Sequence, residues 1–353
     1  DTVTLSETIT PVNDAPVVTG ATTTTLGDIA EDTINPLGDT VSNLFSGKFS
    51  DSADSSGNSS ANTFFGIAIS SYTVDTSKGD WQYSSDGQSW TSIATVTQAN
   101  SILLNANDYL RFVPTTNYNG ASTSLNANLI ESGYPVITTG SMVDLRGATG
   151  GITHVSSATV SLSETITAVN DAPVVTGAPG ATVTLGDITE DTTNPLGDTV
   201  SNLFSSKFSD SADSSGISSA NTFLGIAISN YVPDSTGNWQ YQINATGSWV
   251  TLGLATTSSS ILLHAADKLR FVPAGNYNGQ SSPLIANLIE SGYPAFTSGV
   301  SGINISNATG GTTHISADTV TLSETITPVN DAPVVTGATT TLADICLLYT
   351  SPS

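Results

Sequence analysis

Charge is scarce in this chain and positive charge nearly missing: of 353 residues only 10% are charged, with seven Lys and Arg against 30 acids. A formal net charge of −23 excludes nucleic acid and anionic membrane as partners, because both demand a basic face. Cation binding and solubility are the uses left for the acid. No stretch approaches the roughly 18 consecutive apolar residues of a membrane-spanning helix, so no membrane insertion is expected. A single Cys leaves no disulfide framework, and stability must come from core burial or bound metal. Catalytic signatures are missing too. There is no HExxH, no GxSxG elbow and no phosphate-binding glycine loop, and His154, His264 and His314 fall at no metal or catalytic spacing. Nothing here predicts an enzyme.

What is present is turn chemistry and repetition. The acids are 23 Asp and seven Glu, and Asp with Asn, Ser, Thr and Gly favours turns over helices, so the charge is expected mainly in loops. The motif VNDAPVVTG begins at Val12, Val169 and Val329, at periods of 157 and 160 residues, which marks tandem modules. SNLF at Ser42 and Ser201, WQY at Trp81 and Trp239, LRFVP at Leu110 and Leu269, NYNG at Asn117 and Asn276, and ANLIESGYP at Ala127 and Ala286 recur in register. Residues 1–14 therefore read as the end of a preceding repeat, 15–171 and 172–331 as two complete repeats, and 332–345 as the start of another. Residues 346–353 back-translate to a sequence resembling a transposase adapter used in library preparation. They read as an artefact that removes Cys346 from biological argument.

Runs such as FFGIAIS, WQYSS, SILLN, YLRFVP, LNANLIES and ATVSLSETITAV, four to twelve residues between turn residues, have the composition of strands. Their spacing predicts an all-β chain of tandem Ig-like antiparallel sandwiches. Asp86-Gly87, Gly150-Gly151 and Gly310-Gly311 predict tight hairpins, and Val41, Leu44, Phe45 and Phe49 predict a short helix over Thr40–Phe49. Trp81, Tyr83 and Trp90, with Trp239, Tyr241 and Trp249, sit on the arms of a hairpin. Core packing is the expected fate of these rings, and stacking on sugar rings the alternative. Asn244 and Asn307 begin glycosylation sequons that read as chance matches.

VNDAP at the junction, an EDT triplet after it, an FSD segment and a late FVP…NYNG together resemble the cadherin-like, VCBS-type tandem repeats of giant bacterial adhesins, over Asp1 to Ile345. The resemblance implies a secreted, extracellular or cell-surface bacterial adhesin, often calcium-dependent; the near-identical repeats favour a structural stalk, and repeated low-affinity glycan- or protein-binding modules acting by avidity are the alternative. It also implies adjacent repeats, and surface glycans or host and biofilm proteins, as partners. Asn13, Asp14, Asn170, Asp171, Asn330 and Asp331 match the linker position where cadherins hold calcium. Calcium takes six to eight oxygens, and further ones could come from Glu31, Asp32, Glu190 and Asp191, and from Glu7, Glu164 and Glu324 in the strand before each junction. The alternative is a turn-capping Asn-Asp pair in a linker stiffened by Pro16, Pro173 and Pro333. Asp51, Asp54, Asp210 and Asp213 in FSDSADSSG form a second candidate set. It departs from an EF-hand loop at its third and fifth positions, so a solvated turn is the competing reading.

Overall fold

The computed structural model describes residues 2–57, 59–337, 341 and 343. The adapter reading of 346–353 and part of the repeat start at 332–345 lie outside the described residues. Two all-β units follow one another along the chain. In the first, a six-stranded sheet has the spatial order Met142–Val143, Ser101–Asn105, Phe64–Ser71, Leu125–Glu131, Val155–Ser163, Thr23–Thr25. A four-stranded sheet packs against it in the order Asp39–Thr40, Tyr109–Pro114, Gly79–Ser84, Thr91–Ser92. The second unit repeats this plan with Phe223–Asn230, Leu284–Glu290 and Ile315–Ser323 in its larger sheet and Gly237–Gln242 beside Lys268–Pro273 in its smaller one.

Two pairings in each module depart from the antiparallel expectation, and in one of them Ile29–Ala30 lies parallel to Thr165–Thr167, as Ile188–Thr189 does to Thr325–Thr327. In the other, Thr23–Thr25 lies parallel to Val155–Ser163, as Ala181–Thr184 does to Ile315–Ser323. These strands open and close a module, so no short hairpin joins them and nothing in loop length forces an antiparallel pair.

The apolar run FFGIAIS is explained by burial on both faces. Ile67 and Ile69 face the main core with Trp81, Phe45 and Phe112, whereas Ala68 joins a second cluster with Leu103, Ile130 and Val155. A strand covered on both sides reads as continuous rather than alternating. Trp81 and Trp239 are fully buried, each edge-on to a Phe at 5.3 Å. Their indole N–H groups donate to the Thr123 and Ser282 carbonyls. Trp90 and Trp249 are covered instead by the guanidinium groups of Arg111 and Arg270. The core reading of the two inner Trp residues holds, and their faces are closed to a sugar.

Three local expectations need correction. The helix spans only Val41–Phe45, capped by Thr40 Oγ1 accepting from Asn43 N at 3.2 Å. Its predicted end is lost because Phe49–Ser50 pairs as a strand with Val17–Val18. The Gly150-Gly151 and Gly310-Gly311 turns are real but are not two-residue hairpins. They lead into Val155–Ser163 and Ile315–Ser323, whose antiparallel partners are Leu125–Glu131 and Leu284–Glu290. The run ATVSLSETITAV breaks at Glu164, where the chain leaves the large sheet and Thr165–Thr167 joins a small one with Gly120–Ala121 and Ile29–Ala30.

Candidate cation site at the module junction

The VNDAP segment is docked rather than free. Val169 N donates to Glu31 Oε1 of the first module at 2.6 Å. The next residues belong to the second: Asn170 Nδ2 donates to Glu290 Oε1 at 2.9 Å, Asp171 N to Asp213 Oδ1 at 2.9 Å, and Ala172 N to Gly311 O at 2.7 Å. The same contacts recur at the start of the first module, where Asn13 meets Glu131, Asp14 meets Asp54 and Ala15 meets Gly151.

Behind the segment lies a wall of buried acid. Glu131 and Glu290 are fully buried, and Asp51, Asp54, Asp210 and Asp213 are each about 5–6% exposed. His154 Nδ1 and His314 Nδ1 stand 2.7 and 2.6 Å from Glu131 Oε1 and Glu290 Oε1. Asp51 Oδ2 accepts from Asn62 N at 2.5 Å, and Asp210 Oδ2 accepts from Asn221 N. Five carboxylate oxygens in these two clusters are buried without any donor: Asp51 Oδ1 and Glu131 Oε2 in the first, Asp171 Oδ2, Asp210 Oδ1 and Glu290 Oε2 in the second. A buried charge without a partner is expensive, so these oxygens are free to accept a proton, a water or a cation.

The electrostatics agree. Burial pushes the Asp210 carboxyl up to about 6 against the hydrogen bond from Asn221, with repulsion from Asp213, Glu290 and Asp171 added. Burial also raises Asp171, followed by repulsion from Asp32, Asp213, Glu31 and Glu290. Acids of both modules thus act on one another across the junction. Asp51 is raised for the same leading cause.

The modules touch through Asn119 of the NYNG loop. Its Oδ1 accepts from Ile217 N and Ser218 N, both at 3.0 Å, while its Nδ2 donates to Ser218 Oγ at 2.7 Å and Glu31 Oε2 at 2.9 Å. Gly216 (φ +66°) makes this approach possible, since a Cβ there would stand 1.7 Å from the Asn119 carbonyl oxygen. At the far end of module two, Asn278 Nδ2 and Val329 N donate to Glu190 in the same way, and these bonds lower the Glu190 carboxyl.

Of the sequence candidates, Asn13, Asp14, Asp51 and Asp54 gather at one entry, and Asn170, Asp171, Asp210 and Asp213 at the next, facing Glu31 and Asp32. Asp191, Asn330 and Asp331 are exposed at the far end of the second module. Glu7 lies in an exposed segment outside any strand. Glu164 and Glu324 line a different cleft. Among the described residues no three His, Cys, Asp or Glu side chains form a group able to hold a metal, so amide, backbone or water oxygens would complete any shell. Sequence reasoning missed Glu131, Glu290, His154, His314, Asn119 and Asn278. An acid closing an apolar strand at the same place in both copies of ANLIES was the available signal.

No protein-family model matches the chain, and no curated protein matches it. Among solved structures it is similar to the CupB6 tip adhesin from Pseudomonas aeruginosa, at 10% identity and a TM-score of 0.22, covering 90% of this chain and 99% of that one. That overlap is too low to define a common fold. Among the described residues no helix is long and apolar enough to cross a membrane.

Proposed function

We propose that these modules are stalk repeats of a large secreted bacterial surface adhesin, stiffened at each junction by calcium. The observation that carries the reading is the set of buried, partnerless carboxylate oxygens on Asp171, Asp210 and Glu290, facing Glu31 and Asp32 of the preceding module. The donor set is all oxygen, which suits a hard cation. Because no three acids among the described residues stand together as a metal group, an ion held by Asp171 and Asp210 would take its remaining oxygens from the Asn170 amide, backbone carbonyls and water, and Glu31 and Asp32 would attract it from the neighbouring module through their charge. When bound, the ion neutralises the repulsion among these acids and fixes the angle between modules.

The energy needed is modest, since at tenfold over its dissociation constant an ion adds only roughly 1.4 kcal/mol. Repeated along many junctions, that distinguishes a rod from a hinged chain. Thermal unfolding and small-angle scattering of the chain, with millimolar calcium and with magnesium as control, test the reading. A higher melting temperature and a longer particle in calcium alone are expected. No change in either quantity would leave the junction to the Asn119 contact and the docked linker and end the calcium reading.

A further inference from the structure

Each module carries an acid-floored cleft that the junction does not use. Its volume is about 390 Å³ in the first module and about 430 Å³ in the second, with the same lining in both: Leu26, Ile29, Pro36, Arg111 and Glu164, matched by Leu185, Ile188, Pro195, Arg270 and Glu324. Glu164 is 3% exposed and Glu324 1%. In each, Oε1 is buried without a hydrogen-bond donor.

The neighbouring arginine does not supply that donor. Arg111 Nε donates to Gln82 Oε1 at 2.9 Å, and its Nη1 donates to Asn35 Oδ1 at 2.7 Å and Pro36 O at 3.2 Å. Its guanidinium also lies 4.1 Å over the Trp90 ring. Arg270 repeats the arrangement with Gln240, Asn194, Pro195 and Trp249. The loop that roofs the cleft is pinned by Gly38 and Gly197, at φ +71° and +62°, where a Cβ would stand 2.3 and 2.2 Å from a carbonyl oxygen of the arginine-bearing strand. That same loop leaves Leu37 87% and Leu196 84% exposed at the rim.

We propose that this cleft is a receptor for a primary ammonium on an unbranched alkyl chain, the ammonium meeting the Glu164 or Glu324 carboxylate and the stem lying along Leu26 and Ile29 or Leu185 and Ile188. A metal suits the cleft poorly: calcium takes six to eight oxygens, and two walls are aliphatic. An anion suits it less, because Nε and Nη1 of the arginine are engaged and the Asp28 or Asp187 carboxylate adds negative potential at the floor. An ammonium with a methylene stem matches both halves, as lysine side chains do where they lie along apolar surface. The source is a lysine of a partner protein or a free alkyl amine, and the exposed leucines at the rim separate the two.

The test is calorimetric titration of the whole chain at two salt concentrations with three probes: 1,5-diaminopentane, a short peptide with one central lysine, and the same peptide with that lysine acetylated. Two equivalents of amine or lysine peptide are expected to bind, with proton release near neutral pH, and the acetylated peptide is not. Glu164→Gln with Glu324→Gln removes one charge per site from a chain of 30 acids, so diffuse attraction survives it. Loss of a charge-assisted bond predicts at least about tenfold weaker binding. Asp28→Asn with Asp187→Asn, at exposed positions where folding is not at risk, should weaken binding by about two- to threefold. If Leu37→Ser with Leu196→Ser weakens the peptide but not the diamine, the ligand is a protein lysine; equal insensitivity assigns the cleft to free amines. Unchanged affinity in the glutamine variant, or equal binding of the acetylated peptide, overturns the proposal.

Discussion

Replacing Glu164 and Glu324 with Gln removes two strongly displaced carboxyls, and the consequence can be worked out with its sign. Burial, with repulsion from Asp28 or Asp187 second, raises each from 4.5 to about 8. A carboxyl raised in the folded state is tolerated while protonated. Its contribution to stability is intact below about pH 4.5, declines as pH rises, and is fully lost above about pH 8. At about 1.4 kcal/mol for each pH unit of displacement, each wild-type module should lose roughly 4 kcal/mol between pH 5 and pH 9 that the Gln variant does not lose. The cleft opens to solvent, which makes this an upper figure.

The assay is urea unfolding of the wild type and of each single variant at about pH 5, 7 and 9, followed by tryptophan fluorescence from the buried Trp81 and Trp239. Comparing the pH dependence of variant and wild type cancels the constant cost of the new amide and the shared titration of all other acids. The stability gap should widen with pH and level off above about pH 8. A gap that is flat with pH would mean that the carboxyl has found a partner or water, and the picture of a partnerless acid would be refuted.

Four further outcomes follow from the same geometry. Gly216→Ala should loosen the two modules, seen as a broader distance distribution in scattering, while their melting temperatures barely move; Gly57→Ala, at φ +67° with nothing within 4 Å, carries the same backbone strain and should not. Asp210→Asn should abolish any calcium-induced rise in melting temperature, and in the wild type that rise should fade below about pH 6, where a proton competes for the Asp210 carboxylate. Asn119→Ala removes a fully buried amide with three bonds across the junction and one to Glu31 in its own module and should cost about 1–3 kcal/mol of module coupling, read from the separation of two unfolding transitions. Trp239→Ala should destabilise the second module by about 3–5 kcal/mol and leave the first unaffected in calorimetry.

The fold class and module period were legible because they rest on local signals: apolar runs bounded by Gly, Pro, Asn and Asp, and near-identical text repeated in register. The Asn-Asp pair and the FSDSAD acids were also legible as candidates, and the structure brings them together at each entry. What the sequence hid depends on contacts 99 and 118 residues apart in the chain. Glu131 reaches Asn13 only through the stacking order of the sheet, and Asn119 meets Ser218 only once a second module is in place. Glu164 misled for the opposite reason. It sits on the strand before the junction, yet the switch from one sheet to another at that residue turns its carboxyl into a separate cleft.

Sequence that is identical in two places separates what a module does alone from what its neighbours add. Val3, Leu5 and Ile9 are 86–95% exposed, whereas Val320, Leu322 and Ile326 of the same twenty-four-residue text are at most 2% exposed, because Leu284–Glu290, Ala181–Thr184 and Gly279–Gln280 supply their pairing partners. The NYNG loops make the complementary comparison. Asn119 is fully buried and bridges to Ser218, while Asn278, with no module beyond it among the described residues, is exposed and keeps only its bond to Glu190. Glu31 thus holds the Asn119 carboxamide from within its own module, while Ile217 and Ser218 bind it from the next. Little side-chain entropy remains to be lost, so Glu31→Gln should weaken module docking even though Glu31 touches no residue of the second module beyond the linker. Unaltered docking in that variant would show that Asn119 is positioned by its own loop.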